Sequence, residues 1–180
     1  MKKASCLLLC LLLLLLLLLG CTSSATEDFG DIPEGVIPID QLPQEYSLDM
    51  ARDNGDYIVD LHGKISNKSV MADFLENVEN GEDAFIRTVK YTIEGDPIIH
   101  DFSYNEGKYR VTIDKTRDKY TSSDSRIIES REYKYLKIFE ANGYSYLVVA
   151  DTQNFDDPDF DYFSGDHGVV FVYDYSLSNE

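Results

Sequence analysis

Lys68-Ser69-Val70-Met71-Ala72-Asp73-Phe74-Leu75-Glu76-Asn77-Val78-Glu79-Asn80-Gly81, followed at once by Ala84-Phe85-Ile86-Arg87-Thr88-Val89-Lys90-Tyr91-Thr92-Ile93, decides the fold class. In the first run Val70, Met71, Phe74, Leu75 and Val78 fall on one stripe of a 3.6-residue period, which predicts a helix from about Lys68 to Asn80. Ser66 or Asn67 is placed to cap it and Gly81 to end it. Asp73, Glu76 and Glu79 repel one another on its other face, so packing of the stripe has to hold the helix. In the second run the period drops to two, the mark of a half-buried strand, and it stops at Glu94-Gly95-Asp96-Pro97.

The alternation continues toward the C-terminus. Ile98 to Tyr104 and Lys108 to Asp114 flank the turn Asn105-Glu106-Gly107, with Tyr109, Val111 and Ile113 on one side of the second strand. Lys115 to Ser125 is polar and charged and reads as a mobile loop. Tyr133 to Glu140 and Tyr144 to Asp151 surround Asn142-Gly143, a strong hairpin signal. An acidic loop over 151–167 and a last apolar strand over 168–175 complete the chain. Toward the N-terminus, Tyr57 to Leu61 reads as a short strand turned by His62-Gly63, and Ser47 caps a short helix that stops at Gly55. The expected fold is α+β: one main amphipathic helix packed on a meandering, mostly antiparallel sheet of about five to seven strands.

Upstream of residue 47 the composition changes. Residues 21–46 are rich in acids, Ser and Thr, carry no Lys or Arg, and place Pro33, Pro38 and Pro43 five apart, so a flexible acidic tether is expected. Val36, Ile37, Ile39 and Leu42 are the exception, apolar enough to dock as an extended arm. Residues 1–20 read as a signal peptide: Lys2-Lys3, then a leucine run too short at about 1.5 Å per residue to cross a hydrocarbon core of about 30 Å. Its ending, Leu18-Leu19-Gly20-Cys21, resembles the bacterial lipobox. That resemblance implies diacylglycerol on the Cys21 thiol, palmitate-type chains in the membrane, and an extracytoplasmic, lipid-anchored domain over 47–180.

Charge narrows the partners. After residue 20 there are 14 basic residues against 33 acidic ones, a net of −19, which excludes nucleic acid as a partner and bulk attraction to anionic lipid. Nine of those basic residues lie between Lys108 and Lys137 beside five acids, a strip expected to pair with acidic surface of the same domain. Cys6 and Cys10 leave with the signal, so no disulfide is available to one mature chain.

Few residues point to chemistry. Glu94 and Asp96 share a turn near His100, the raw material of a general acid and base for an envelope-acting hydrolase, although Gly95 at the first central turn position explains the segment as turn chemistry. His62, His100 and His167 form no metal or nucleophile motif, and Ser164-Gly165-Asp166-His167 is not how a triad is assembled, so no catalytic residue and no cofactor is expected. Asp157, Asp159 and Asp161 offer oxygens at spacing two within the loop from Asp156 to Asp166, as the start of a calcium loop does, but Tyr162 and Gly168 stand where an EF-hand needs Gly and Glu.

Asp60-Leu61-His62-Gly63, the helix after it and Tyr91-Thr92-Ile93-Glu94-Gly95-Asp96-Pro97-Ile98 resemble a group of small lipoproteins of low-GC Gram-positive bacteria that is catalogued as a domain of unknown function. The resemblance implies one domain and brings no site residues with it. The expectation is a non-enzymatic binding or interaction module, anchored to the membrane through Cys21 and meeting an envelope protein or peptide. A calcium-dependent module or a hydrolase is the alternative.

Overall fold

The computed structural model describes residues 32–141, 144–153 and 170–173. Two helices are present among them, α1 (Leu48–Asp53) and α2 (Ser69–Asn80). Strands β1 (Tyr57–Val59), β2 (Ile65–Ser66), β3 (Ala84–Tyr91), β4 (Pro97–Asn105), β5 (Lys108–Asp114) and β6 (Ile128–Tyr133) form a sheet in the order β2-β1-β3-β4-β5-β6. It is antiparallel throughout except between β1 and β3, whose parallel pairing requires the crossover that β2 and α2 supply. Strands β7 (Tyr135–Ala141), β8 (Tyr144–Ala150) and β9 (Val170–Tyr173) make a second, antiparallel sheet. The fold is α+β as expected, one main helix on a mostly antiparallel sheet whose six strands fall within the expected five to seven, with a second, three-stranded sheet beside it among the described residues.

Alternation along each strand gives the larger sheet two buried faces. On one, Ala84, Ile86, Phe102, Val111 and Ile113 pack with Met71 and Phe74 of α2 and with Leu147 and Val149 of β8. On the other, Val89, Tyr91 and Ile99 pack with Ile58, Ala51 and three residues of the N-terminal arm, Ile39, Leu42 and Tyr46. Burying each of those three stabilises by about 1.5–3 kcal/mol before ordering entropy is subtracted. Within the segment expected as a tether over 21–46, the docking expected of Ile39 and Leu42 is seen, joined by Tyr46. Ile39–Gln41 form a 3₁₀ turn, and Ile39 is 0 % exposed.

Two buried arginines hold this arm. Arg87 donates to both carboxylate oxygens of Asp101, at 2.6 and 2.7 Å, and to the Ile37 carbonyl at 2.9 Å. Arg117 pairs with Asp114 and donates to the carbonyls of Leu42 at 2.7 Å and Pro43 at 3.0 Å. A loop carbonyl taken out of water needs a donor, and a guanidinium supplies several from one side chain. Segment 115–127 is likewise tied down rather than loose: Arg117 is buried, Lys115 N donates to Ile127 O at 3.1 Å, and Arg126 donates to the carbonyls of Lys119 and Thr121.

Local signals acted with small shifts. Ser47 caps α1 by accepting from Met50 N at 3.3 Å. At the end of α2, Glu82 N donates to Asn77 O and Gly81 N to Val78 O, a Schellman ending that needs the left-handed φ of +74° at Gly81. Neither Ser66 nor Asn67 caps the start of α2. Asn67 instead adopts φ +54° and donates to the carbonyls of Asp56 at 2.8 Å and Arg52 at 3.3 Å, stitching the two helices to β1. The strand expected over Tyr133 to Glu140 is β7, shifted by one or two residues, and β6 precedes it as a strand not expected from the sequence.

Candidate functional site

At the Tyr91 end of the larger sheet, four pieces of chain enclose a cavity of about 480 Å³: the arm at Gln44–Leu48, the β1–β2 turn at Asp60–His62, Tyr91 with Gly95–Pro97, and Arg117 with Lys119. Its wall is mostly apolar and aromatic, and its size is that of small-molecule and side-chain pockets. Tyr91 fixes the arm by donating to the Tyr46 carbonyl at 3.0 Å. The Tyr46 hydroxyl donates to Asp56 at 2.6 Å and accepts from Asn54 at 2.7 Å, so its ring is locked. The β1–β2 turn is set by Asp60, whose carboxylate accepts from the backbone N–H of Lys64 and of His62, and these donors hold its pKa below the usual carboxylate range.

The β3–β4 turn carries Gly95 at φ +88°, the last residue of the turn Thr92–Gly95 rather than its first central one. Thr92 N donates to Asp96 O at 2.9 Å, which closes a three-residue loop ending in a left-handed glycine. Asp96 then turns inward and accepts from Lys119 N at 2.9 Å, joining the turn to segment 115–127. The Lys119 ammonium stands between Glu45, at 3.5 Å, and Asp96, at 3.6 Å. Glu45 is 86 % and Lys119 58 % exposed, so this bridge is worth less than about 1 kcal/mol.

A smaller cavity of about 270 Å³ lies toward the start of β3, between Gly35–Ile37, Asn54–Asp56, Val70 and Phe85–Arg87. Asp56 lines it. Burial pushes its carboxyl up to about 6, against the lowering influence of the Tyr46 hydroxyl and the Arg87 charge.

Glu94, Asp96 and His100 are not brought together. Glu94 is exposed on the turn and Asp96 faces Lys119 in the cavity. His100 pairs across the sheet with Thr88 and Ile113, stacks on Phe102 at 6.1 Å, and so belongs to the opposite face. Desolvation, then the charges of Lys115 and Lys90, lower its imidazole to about 3, so it is neutral. An acid and base acting on one substrate would have to share a face, and these do not. Among the described residues no group of three or more His, Cys, Asp or Glu is placed to hold a metal, and no helix is long and apolar enough to cross a membrane. Cys21 and the loop acids Asp156, Asp157, Asp159, Asp161 and Asp166 lie outside the described residues.

The basic strip is largely consumed locally. Arg110 meets Glu132 at 2.6 Å, Lys108 meets it at 3.7 Å, Lys115 meets Glu129 at 2.9 Å and Arg131 meets Asp151 at 3.0 Å. The cavity residues Gln44–Leu48, Arg117 and Lys119 went unnoticed in the sequence as a group, because the contacts between the arm and the segment it touches span 74 and 75 positions.

A sheet covered on both faces, with an apolar cavity at one end and its carboxylates engaged by backbone donors and a lysine, defines a small α+β domain. Residues 55–146, just over half of the chain, match a family described as a domain of unknown function (DUF4362), and the chain belongs to that family. The matched residues include Asp60–His62, Tyr91, Gly95–Pro97, Arg117 and Lys119 and stop short of Gln44–Leu48. No curated protein and no solved structure matches the chain.

Proposed function

We propose that this chain is a lipid-anchored, extracytoplasmic binding module of a low-GC Gram-positive envelope, without enzymatic activity, whose ligand seat is the cavity between Tyr46, Leu61, Tyr91, Pro97 and Lys119. The cavity carries the binding half of the reading: it is largely apolar, of ligand size, and includes the polar side chains of Glu45, Asp60, Asp96 and Lys119 in its lining. Leu18-Leu19-Gly20-Cys21 and the resemblance to small lipoproteins support the address, with residues 1–20 removed and Cys21 acylated.

Two measurements test it. Intact-mass analysis of protein recovered from membranes is expected to show a chain starting at Cys21 with diacylglycerol attached, and a bare thiol or another first residue overturns the address. Amide-shift mapping with solubilised envelope fractions is expected to move signals from residues 44–48, 60–62, 91–97 and 117–119. Shifts confined to other surfaces overturn the seat.

A further inference from the structure

We propose that the occupant of this cavity is a lysine side chain presented by a peptide, seated where the chain's own Lys119 ammonium now lies. The proposal rests on the cavity being the ligand seat and adds the chemical class of the ligand. Charge in the lining is one-sided. Three carboxylates, Glu45, Asp60 and Asp96, stand against Lys119, because the other cation, Arg117, is already matched by Asp114. Asp96 is nearly buried and has the Lys119 ammonium only at 3.6 Å, so a cation that approaches it more closely than Lys119 does is favoured.

The chain itself shows what these carboxylates accept, since the Lys119 ammonium sits 3.5 Å from Glu45 and 3.6 Å from Asp96. Those separations are long for a charge-assisted bond, and Lys119 is more than half exposed, so an incoming ammonium displaces it at small cost. The lining residues Tyr46, Leu48, Leu61, Tyr91 and Pro97 take an aliphatic stem and the residues beside it. A net charge of −17 over the whole chain favours approach of a basic peptide over an acidic one.

The test is an amide-shift titration of the purified full chain with acetyl-Leu-Lys-Leu-amide, its norleucine and glutamate counterparts, and free 1,5-diaminopentane. The lysine peptide is expected to bind about tenfold tighter than the norleucine one and to shift residues 45–48, 60–62, 95–97 and 117–119, with the glutamate peptide weakest. Lys119→Met leaves intact the backbone N–H that holds Asp96 and removes the competing ammonium, so it is expected to tighten the lysine peptide about three- to tenfold. Glu45→Gln, at an exposed position, is expected to weaken it about two- to fivefold.

Equal binding of all three peptides at the cavity overturns the lysine proposal and leaves the seat standing, as does weaker binding of lysine to Lys119→Met. No shift at the cavity with any peptide removes the seat itself. Free diamine binding as tightly as the peptide overturns the peptide as source.

Discussion

Asp56→Asn is expected to make the protein more stable above pH 6 and nearly neutral in effect below pH 4. Asp56 is 6 % exposed, and its carboxyl is raised to about 6, chiefly by burial. In the unfolded chain it returns to about 3.9, so the native state holds its proton more tightly than the unfolded state does. Its contribution to stability is therefore largest in acid and is lost as pH rises from about 4 to about 6. Two pH units at about 1.36 kcal/mol each make the cost of keeping Asp56 ionised at pH 8 about 3 kcal/mol. Asparagine keeps an oxygen that accepts from the Tyr46 hydroxyl and carries no charge, so it resembles the protonated acid. Its new N–H₂ takes back part of the gain if the neighbouring cavity does not solvate it, and a net 1–3 kcal/mol is the expected order of magnitude at pH 8. Urea unfolding of both proteins at pH 4, 5, 6, 7 and 8 measures it. With a urea slope of about 2 kcal/mol/M, the midpoint of the variant should stand about 0.5–1.5 M higher at pH 8. Taking the difference between the two proteins cancels the other carboxylates. A difference that is flat with pH, or that favours the wild type at pH 8, refutes the reasoning.

Arg87→Met leaves Asp101 buried without its partner and frees the Ile37 carbonyl, and is expected to cost about 3–5 kcal/mol by denaturant unfolding, with part of the loss recovered in Arg87→Met/Asp101→Leu. Ile39→Ala should cost about 2–4 kcal/mol by the same measurement if the arm belongs to the core, and under 1 kcal/mol if it merely lies on the surface. Gly95→Ala meets open space but must adopt φ +88°, so about 1–2 kcal/mol of destabilisation is expected from backbone strain alone, read by thermal melting.

The elements that were legible in the sequence are those whose cause is local. The stripe of α2, the Gly81 ending, the Ser47 cap and the β4–β5 hairpin each follow from residues within a few positions of one another. Strand β6 was missed because its residues Glu129, Ser130, Arg131 and Glu132 lie exposed along an edge, where charge discourages pairing with another chain and erases the alternation that marks a half-buried strand. The arm was legible only as an exception within its segment, through Ile39 and Leu42. Its average composition is that of a tether, but stability depends on where its few apolar residues land, and Ile39, Leu42 and Tyr46 all land on Val89, Tyr91 and Ile99.

The site was less legible than the fold because it is made by the least local contacts in the molecule. Arg117 reaches back to Leu42 and Pro43, Lys119 to Glu45 and Asp96, and neither reach leaves a trace in spacing or motif. Glu94-Gly95-Asp96 drew attention as a pair of acids, yet the turn sends them apart and its glycine is what turns Asp96 inward. Clamping the arm also isolates the arm wall of the cavity from the chain that precedes it. Ile37, held by Arg87, stands 16 positions after Cys21, a span of at most about 55 Å even fully extended. A pull along that span meets the bidentate Arg87–Asp101 pair before it reaches Gln44–Leu48. The arm wall of the cavity therefore keeps its geometry wherever the N-terminal end of the chain is fixed.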